Sequence, residues 1–192
     1  NKWSQKDFFE NSIKLEEALP QYPEKIANIR KNKKIKLAFL SSDIRNNHSI
    51  TGFLKTVVAN VNKNKFELIL FSNCKINKED KTSKDFQNFF DEWINISSLN
   101  DIEAISEIRK YSIDIIIDLM GLSSSNRIAL FKNRLASTQI LWLGYNNTSG
   151  LKEMDYLMVD PNLIEKNEAK FYSEKLLFLP SIWNCHSGFI NS

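Results

Sequence analysis

Short apolar runs alternate along the chain with stretches in which apolar residues recur every three or four positions. The short runs predict β-strands at residues 35–42, 65–73, 92–97, 113–120, 138–144, 155–160 and 175–180. The stretches between them predict helices at residues 50–61, 83–90, 101–110 and 127–132. Strands that alternate with helices are typical of βαβ units. The sequence therefore predicts the α/β class, as a Rossmann-like lobe with a mostly parallel sheet and helices on both faces.

A separate helix is predicted before the first strand. Phe8, Ile13, Leu15 and Leu19 lie mostly at helical spacing within residues 4–19, and Pro20 ends the pattern. We therefore divide the chain into a helical connector over residues 1–33 and a Rossmann-like lobe over residues 34–192. The chain begins with Asn rather than Met, so we expect it to be a fragment of a longer protein.

Composition narrows the possible classes of protein without identifying one. Of the 192 residues, 42% are hydrophobic and 26% are charged, which is typical of a globular domain with its own core. The formal net charge of +3 is dispersed, apart from a lysine-rich run at residues 30–36 that we interpret as a solvated linker. Because no basic face interleaved with aromatic residues is visible, no nucleic-acid partner is predicted.

The sequence carries no signature of a metal site, a cofactor site or a membrane span. Cys74 and Cys185 lie far apart and lack metal-ligand spacing, so we predict neither a disulfide nor a metal site. No GxGxxG or P-loop pattern is present, and we predict no cofactor on this chain. The apolar runs are shorter than the roughly 18 residues that a membrane span needs, and no secretory leader is visible. We therefore expect a cytoplasmic protein with no membrane partner.

Polar residues follow three of the predicted strands at the point where each strand ends. The segments are SSDIRNNHS after the first strand, DLMGLSSSNR after the fourth and GYNNTSG after the fifth. In a doubly wound sheet, ligands bind outside the carboxyl ends of the strands. We therefore expect the three loops to converge at one edge of the sheet and to form the site.

His48 lies where the first strand is followed by a helix, and the sequence leaves its role open. A neutral imidazole there can take a proton from an acceptor group near pH 7, since its unperturbed pKa is about 6.5. His48 can equally cap the helix, and Asp43 can either orient the imidazole or act as a cap itself. Sequence spacing does not choose between these interpretations.

Asp118 follows the apolar run 113–117, where a carboxylate is costly unless it is hydrogen-bonded. It either binds a ligand or accepts hydrogen bonds from backbone N–H groups of the adjoining loop. Gly121 supplies the freedom for a tight turn in that loop.

The loop after the fifth strand is bracketed by glycines and rich in hydroxyl groups. Tyr145, Thr148 and Ser149 lie between Gly144 and Gly150. Their hydroxyls and the backbone amides of the loop can bind an anion or sugar hydroxyls. Taken alone, such a turn is weak support for a ligand site.

Several motifs in order give the sequence a resemblance to a known family. The segments FLSSDIRNNHS, FELILFSN, DIIIDLMG, QILWLGYNNTSG, MDYLMVDP and YSEKLLFLP resemble the first half of the catalytic region of the O-GlcNAc transferase and SPINDLY family, over about residues 34–180. The resemblance implies a two-lobed GT-B architecture that follows TPR repeats. It also implies an inverting transfer from a UDP-sugar, bound mainly by the second lobe, to Ser or Thr hydroxyls of a protein or peptide acceptor.

The resemblance also assigns roles to individual residues. His48 matches a histidine discussed as a catalytic group, and Asp43 opens the same segment. Asp118 and Gly121 match a DLxG element of the family. The residues that match the loop facing the sugar and the acceptor are Tyr145, Thr148, Ser149 and Gly150.

The chain departs from the family pattern in three places. Residues 44–48 are one residue longer than usual, Gly52 lies near the position of an expected second histidine, and Asn146 and Asn147 replace a common Pro-Gly pair. The resemblance implies the acceptor-side lobe of a UDP-sugar-dependent protein O-glycosyltransferase, inactive without the second lobe that holds the donor. The departures favour the alternative of a non-enzymatic protein-binding module derived from that family. A receiver-like domain is disfavoured, because only one acidic residue, Asp43, follows the first strand.

Overall fold

The computed structural model describes residues 3–22 and 34–185. The strands are β1 (Ile35–Ser41), β2 (Phe66–Ser72), β3 (Glu92–Asn95), β4 (Ile113–Asp118), β5 (Ala136–Leu141), β6 (Tyr156–Val159) and β7 (Lys175–Phe178). The α-helices are α1 (Gln5–Ala18), α2 (Ser49–Asn60), α3 (Lys81–Gln87), α4 (Asp101–Lys110) and α5 (Ile128–Phe131). Short 3-10 helices lie at Ile76–Lys78 and Lys166–Phe171. The strands form one parallel sheet in the order β3-β2-β1-β4-β5-β6-β7. The predicted α/β, Rossmann-like fold is thus confirmed.

The predicted strands and helices are all present, and boundaries differ by up to three residues, as at α3 and at the ends of β4 and β5. The apolar runs there extend past the strands, because Met120, Trp142 and Leu143 are buried in coil rather than in the sheet. Leu143 has a φ of 69°, which no strand residue adopts, and the Trp142 indole donates a hydrogen bond to the Trp183 carbonyl oxygen at 2.7 Å. The apolar runs correctly predicted that these residues are buried, but a buried residue need not lie in a strand.

Helices cover both faces of the sheet, as predicted. Side chains alternate along each strand, so Ala38 and Leu40 of β1 pack on the face that α4 and α5 cover. Phe39 points to the opposite face, where α2 and α3 pack against the sheet. Burial of both faces explains why the central strands read as continuous apolar runs.

The order of the strands reverses between β1 and β4, which are hydrogen-bonded neighbours. Successive strands run outward from β1 to β3 on one side and from β4 to β7 on the other. Such a reversal opens a crevice outside the carboxyl ends of the two strands, and ligands of open α/β sheets bind there. The loops after β1 and β4 flank this position.

Parts of the predicted organisation lie outside the described residues. Residues 23–33 contain the end of the predicted connector and most of the lysine-rich run, and residues 186–192 contain the end of the predicted lobe. The division into connector and lobe stays a prediction. Within residues 3–22 and 34–185, none of the helices combines the length and the apolar character needed to cross a membrane.

Candidate functional site

The three polar loops leave the same edge of the sheet, as predicted. Leu40 of β1 is in register with Asp118 of β4, and Asp118 is in register with Leu141 of β5. All three strands run parallel and end within a residue of this line. Their loops therefore bring His48, Gly121 and Thr148 to one edge of the sheet.

His48 is the N-cap residue of α2 in the loop after β1. Its Nδ1 atom accepts a hydrogen bond from the Ile50 N–H at 3.4 Å, and its Nε2 atom lies 3.6 Å from Asp43 Oδ1. A neutral imidazole that accepts at Nδ1 carries its proton on Nε2. The ring, with 29% of the side chain exposed, therefore presents an N–H group to Asp43. This is the geometry of a capping and orienting group, while a role in catalysis stays a prediction.

Asp43 flanks the imidazole and does not cap the helix. Its Oδ2 atom accepts a hydrogen bond from the Ser42 hydroxyl at 2.9 Å, and its Oδ1 atom also lies 3.5 Å from Arg45 Nη2. The Asp43 carboxylate thus accepts a hydrogen bond from a hydroxyl and lies near a guanidinium group and the imidazole. Orientation of His48 by Asp43, at 3.6 Å from its Nε2 atom, stays a prediction.

Asp118 is fully buried and ties down the loop that follows β4. Its two carboxylate oxygens accept hydrogen bonds from the Met120 and Gly121 N–H groups, each at 3.0 Å. Burial raises the pKa of Asp118 to about 7, and the two backbone N–H groups oppose that shift. The interpretation that Asp118 orders its own loop matches these contacts.

The loops after β4 and β5 pack against each other without space between them. Gly121 has a φ of 54°, and a Cβ atom built on it would lie 2.4 Å from Tyr145 Cβ. A Cβ atom on Gly144 would lie 1.9 Å from the carbonyl oxygen of Leu119. The two loops therefore form one unit at the edge of the sheet.

Burial raises the pKa of Tyr145, and the charge of Glu174 raises it further. The phenol therefore stays protonated at neutral pH.

Three residues predicted to face a ligand are buried beneath this edge. Thr148, Ser149 and Gly150 are inaccessible to solvent or nearly so. In the same loop, Tyr145 is half-buried and Asn146 is exposed. The structure therefore brings all the predicted residues to one edge of the sheet but turns the final three inward.

Sequence reasoning missed the residue that holds this part of the loop. Glu174, 5% exposed, precedes β7 and accepts hydrogen bonds from Thr148 Oγ1 at 2.9 Å, from the Ser149 N–H at 2.7 Å and from Ser149 Oγ. Ser173 Oγ also lies 2.9 Å from Thr148 Oγ1. The signal was a lone acidic residue before an apolar strand, which spacing alone does not connect to Ser149, 25 residues earlier.

The described residues contain no group of three or more His, Cys, Asp or Glu side chains arranged to hold a metal ion. The carboxylates of Asp43, Asp118 and Glu174 at this edge all have hydrogen-bond partners within the chain. The chemistry that the edge offers is therefore hydrogen bonding, from the His48 N–H group, the Tyr145 phenol and exposed amides such as that of Asn146.

A Rossmann-like domain with polar loops at the reversal of its strand order belongs to a broad class of ligand-binding α/β domains. Comparison with known proteins places the chain more closely. The model of Glycosyl transferase family 41 matches residues 9–187, which is most of the chain. The chain therefore belongs to glycosyltransferase family 41.

Named relatives and a solved structure agree with this assignment. The chain is 25% identical over 143 residues to the probable UDP-N-acetylglucosamine--peptide N-acetylglucosaminyltransferase SPINDLY of Solanum lycopersicum, covering 73% of this chain and 15% of that protein. It is 23% identical over 154 residues to the UDP-N-acetylglucosamine--peptide N-acetylglucosaminyltransferase of Caenorhabditis elegans, covering 80% of this chain and 13% of that protein. The fold matches a mutant O-GlcNAc transferase of Thermobaculum terrenum with a TM-score of 0.85 and 23% identity, over 95% of this chain and 35% of that chain. The chain thus spans about one seventh of the length of these curated relatives.

Proposed function

We propose that this chain is the acceptor-side lobe of a UDP-sugar-dependent protein O-glycosyltransferase. Membership of glycosyltransferase family 41 supports the reaction class, and the names of the relatives support a peptide acceptor and a UDP-N-acetylglucosamine donor. The observation that carries the proposal is the edge where the loops after β1, β4 and β5 meet beside the reversal of strand order. This edge is where an acceptor would lie.

The proposal assigns the donor to a second lobe of the same protein. The sequence of this chain holds no P-loop or GxGxxG pattern for a diphosphate, and the chain covers 35% of the O-GlcNAc transferase that it resembles in fold. The complete protein would then have the two-lobed GT-B architecture, follow TPR repeats and act in the cytoplasm. The chain alone would not transfer sugar.

In this proposal the edge orients reactants and the second lobe stabilises the departing UDP. Transfer with inversion breaks the bond between the anomeric carbon and the phosphate oxygen, and UDP leaves with the electron pair of that bond. The acceptor hydroxyl forms a new bond to the same carbon and gives its proton to the departing UDP or to water. Because Nδ1 of His48 accepts from a backbone N–H group, its Nε2 proton suits a hydrogen-bond donor better than a base. Tyr145 and Asn146 offer further hydrogen bonds to a sugar or an acceptor backbone.

A second candidate function is a non-enzymatic module that binds a protein or peptide. Specific contacts favour it, since Thr148 and Ser149 use their hydroxyls on Glu174 and both ring nitrogens of His48 face groups of this chain. A site whose hydrogen-bonding groups already bind other groups of the same chain is better suited to a structural role than to catalysis. Such a module would keep the edge as a docking surface.

Calorimetry with UDP on this chain, beside a transfer assay on the full-length protein, tests the proposal. We expect no UDP binding by the chain alone and transfer of N-acetylglucosamine to a peptide by the full-length protein. A dissociation constant of about 1 μM for the chain, which is about −8 kcal/mol, would contradict the assignment of the donor to the second lobe. Full-length protein that binds UDP-N-acetylglucosamine and peptide without transfer would favour the binding module.

A further inference from the structure

Helix α1 lies against the lobe on a face that combines polar and apolar residues. Its buried residues are Ser12 and Glu16, Phe9 and Ile13 are half-buried, and Leu19 after the helix packs against the core. The apolar residues attach the helix without selecting one register, whereas each polar contact contributes only about 0.5 to 1.5 kcal/mol net but is directional. The register of α1 therefore depends on a few polar contacts with particular partners.

The first two of these contacts lie on the loop after β5. Gln5 Nε2 donates to Asn147 Oδ1 at 2.6 Å, and Asn147 Nδ2 lies 3.4 Å from Gln5 Oε1. Ser12 Oγ donates to the Thr148 carbonyl oxygen at 3.4 Å. A Cβ atom on Gly150 would lie 2.4 Å from the Ser12 carbonyl oxygen, so helix and loop touch backbone to backbone. Gln5 and Ser12 of α1 thus contact residues 147–150.

A third contact fixes the end of α1 relative to the lobe. Lys132, directly after α5, places its Nζ atom 3.3 Å from Glu16 Oε1 and donates to the Glu16 carbonyl oxygen at 2.5 Å. The two side chains are 10% and 6% exposed, so the ion pair is well shielded from solvent. Removing one partner of a buried pair is costly, which sets the register of α1 along the lobe.

The loop after β5 is therefore held from two sides. Glu174 binds Thr148 and Ser149 from within the lobe, and α1 contacts the same loop from outside. Helix α1 precedes β1 and pairs with no strand, so the sheet does not require it. An isolated helix of 14 residues is marginal in water, so α1 would lose much of its structure on leaving the lobe.

We propose that α1 is a strap that holds residues 147–150 against the lobe, and that its docking and release regulate the candidate site. The loop transmits the effect because Gly144 and Tyr145 pack directly on Leu119 and Gly121 of the loop after β4. Release would loosen both loops at the edge of the sheet. The regulatory consequence rests on the proposed function, whereas the strap itself does not.

Hydrogen exchange on this chain tests the strap with two double variants that differ only in the sign of the charge at position 5. In Gln5→Glu with Asn147→Asp, two carboxylates face each other and repel. In Gln5→Lys with Asn147→Asp, the pair attracts, and the Asp oxygen can still accept from the Thr148 N–H as Asn147 does. Lys14→Gln, at an exposed position of α1, is the control.

We expect the repelling pair to speed amide exchange of residues 144–151 by about tenfold or more, with β1 and β4 unchanged. The attracting pair and Lys14→Gln should leave exchange near that of the unsubstituted chain. Unchanged loop exchange in the repelling pair, despite faster exchange in α1, would overturn the strap. Faster amide exchange in β1 and β4 together with the loop would also overturn the strap, since α1 would then belong to the cooperative core.

Transfer by the full-length protein separates regulation from structure. Transfer lost in the repelling pair and kept in the attracting pair would support regulation by α1, and equal transfer in both would overturn it. If the unsubstituted full-length protein transfers no sugar, the proposed function fails, while the exchange result still decides whether α1 restrains the loop.

Discussion

The loop after β1 and the loop after β5 leave the same edge of the sheet, but the first is largely exposed and the second is mostly buried. The first is held partly by near partners, such as Thr51 Oγ1 with the Asp43 and Arg45 carbonyl oxygens and His48 with the Ile50 N–H. It is also held by α3, because the Asn46 N–H donates to Asp80 Oδ2 at 2.7 Å and Ser83 Oγ donates to the Ile44 carbonyl oxygen at 2.7 Å. Residues 45–47 and 49 of this loop are exposed. The second is held by Glu174, 26 residues beyond Thr148, and by Ser12, 136 residues before it.

This difference separates groups that can serve a ligand from groups that serve the fold. Thr148 and Ser149 lie where a ligand-facing loop was expected, but their hydroxyls are engaged with a buried carboxylate. One of the two ring nitrogens of His48 likewise accepts the capping hydrogen bond, yet part of the ring remains exposed. We therefore expect substitutions in the loop after β5 to act mainly on stability and those in the loop after β1 mainly on function.

The largest effect should come from Glu174→Ala. The change removes an acceptor for the Ser149 N–H and for two hydroxyls, and a buried donor without a partner costs about 1 to 3 kcal/mol. We expect the free energy of unfolding, measured with urea, to fall by about 4 kcal/mol. Glu174→Gln should cost less, since one oxygen remains to accept.

Glu165→Ala is the matched control for this prediction. Glu165 is exposed, and its carboxylate accepts a hydrogen bond from the Asn167 side chain within its own turn, at 3.2 Å. Its removal should change stability by about 0.5 kcal/mol or less. Equal losses for Glu174→Ala and Glu165→Ala would show that the carboxylate does not hold the loop.

A smaller and pH-dependent effect is expected at Asp118, the last residue of β4, which lies between β1 and β5 in the sheet. Burial raises its pKa from 3.8 to about 7 in the folded chain, so the folded state retains this proton while the unfolded state loses it. The stabilisation from the protonated carboxyl is fully present below about pH 4 and is lost as pH rises to about 7. Between pH 5 and pH 8 the loss should be about 2 to 3 kcal/mol.

Urea unfolding of the unsubstituted chain and of Asp118→Asn at both pH values measures this contribution. The amide cannot ionise, although it replaces one acceptor of the two backbone N–H groups and so lowers stability by a constant amount. The stability difference between the two proteins should therefore shrink as pH rises. A constant difference would show that Asp118 titrates at an ordinary pKa.

The fold was predictable because its signal is short in range. Apolar runs of four to seven residues defined β1 to β7, and helical spacing defined α1 to α5, with little dependence on partners elsewhere. The convergence of three loops followed from parallel strands alone. The cap of α2 by His48 was one of the two interpretations left open, and it was visible in sequence because a cap needs only the next two residues.

The interior of the site was not predictable, because its determinants are distant in sequence. Nothing in GYNNTSG indicates that Thr148 meets Glu174 or that Gly150 meets Ser12. A hydroxyl-rich turn looks the same in sequence whether its hydroxyls face solvent or a buried carboxylate. The ends of β4 and β5 were also misplaced, since buried coil and buried strand share the same composition.

The smallest effect on stability should come from His48, where the comparison of the two loops is tested most directly. Replacing His48 with Ala removes the acceptor of the Ile50 N–H, and loss of such a cap costs about 1 kcal/mol. His48→Asn restores an efficient cap and should unfold near the unsubstituted chain, but it removes the N–H group that faces Asp43.

The two variants therefore separate capping from chemistry in the full-length protein. If His48 orients or deprotonates the acceptor, both variants should slow transfer by about 10² to 10⁴, or roughly 3 to 5 kcal/mol of barrier, whatever their stability. If the imidazole only caps α2, His48→Asn should transfer sugar at nearly the normal rate and His48→Ala should merely melt earlier. In that case the loop after β1 would be structural like the loop after β5, and the search for reactive groups would move to Tyr145 and Asn146, the accessible side chains beside it.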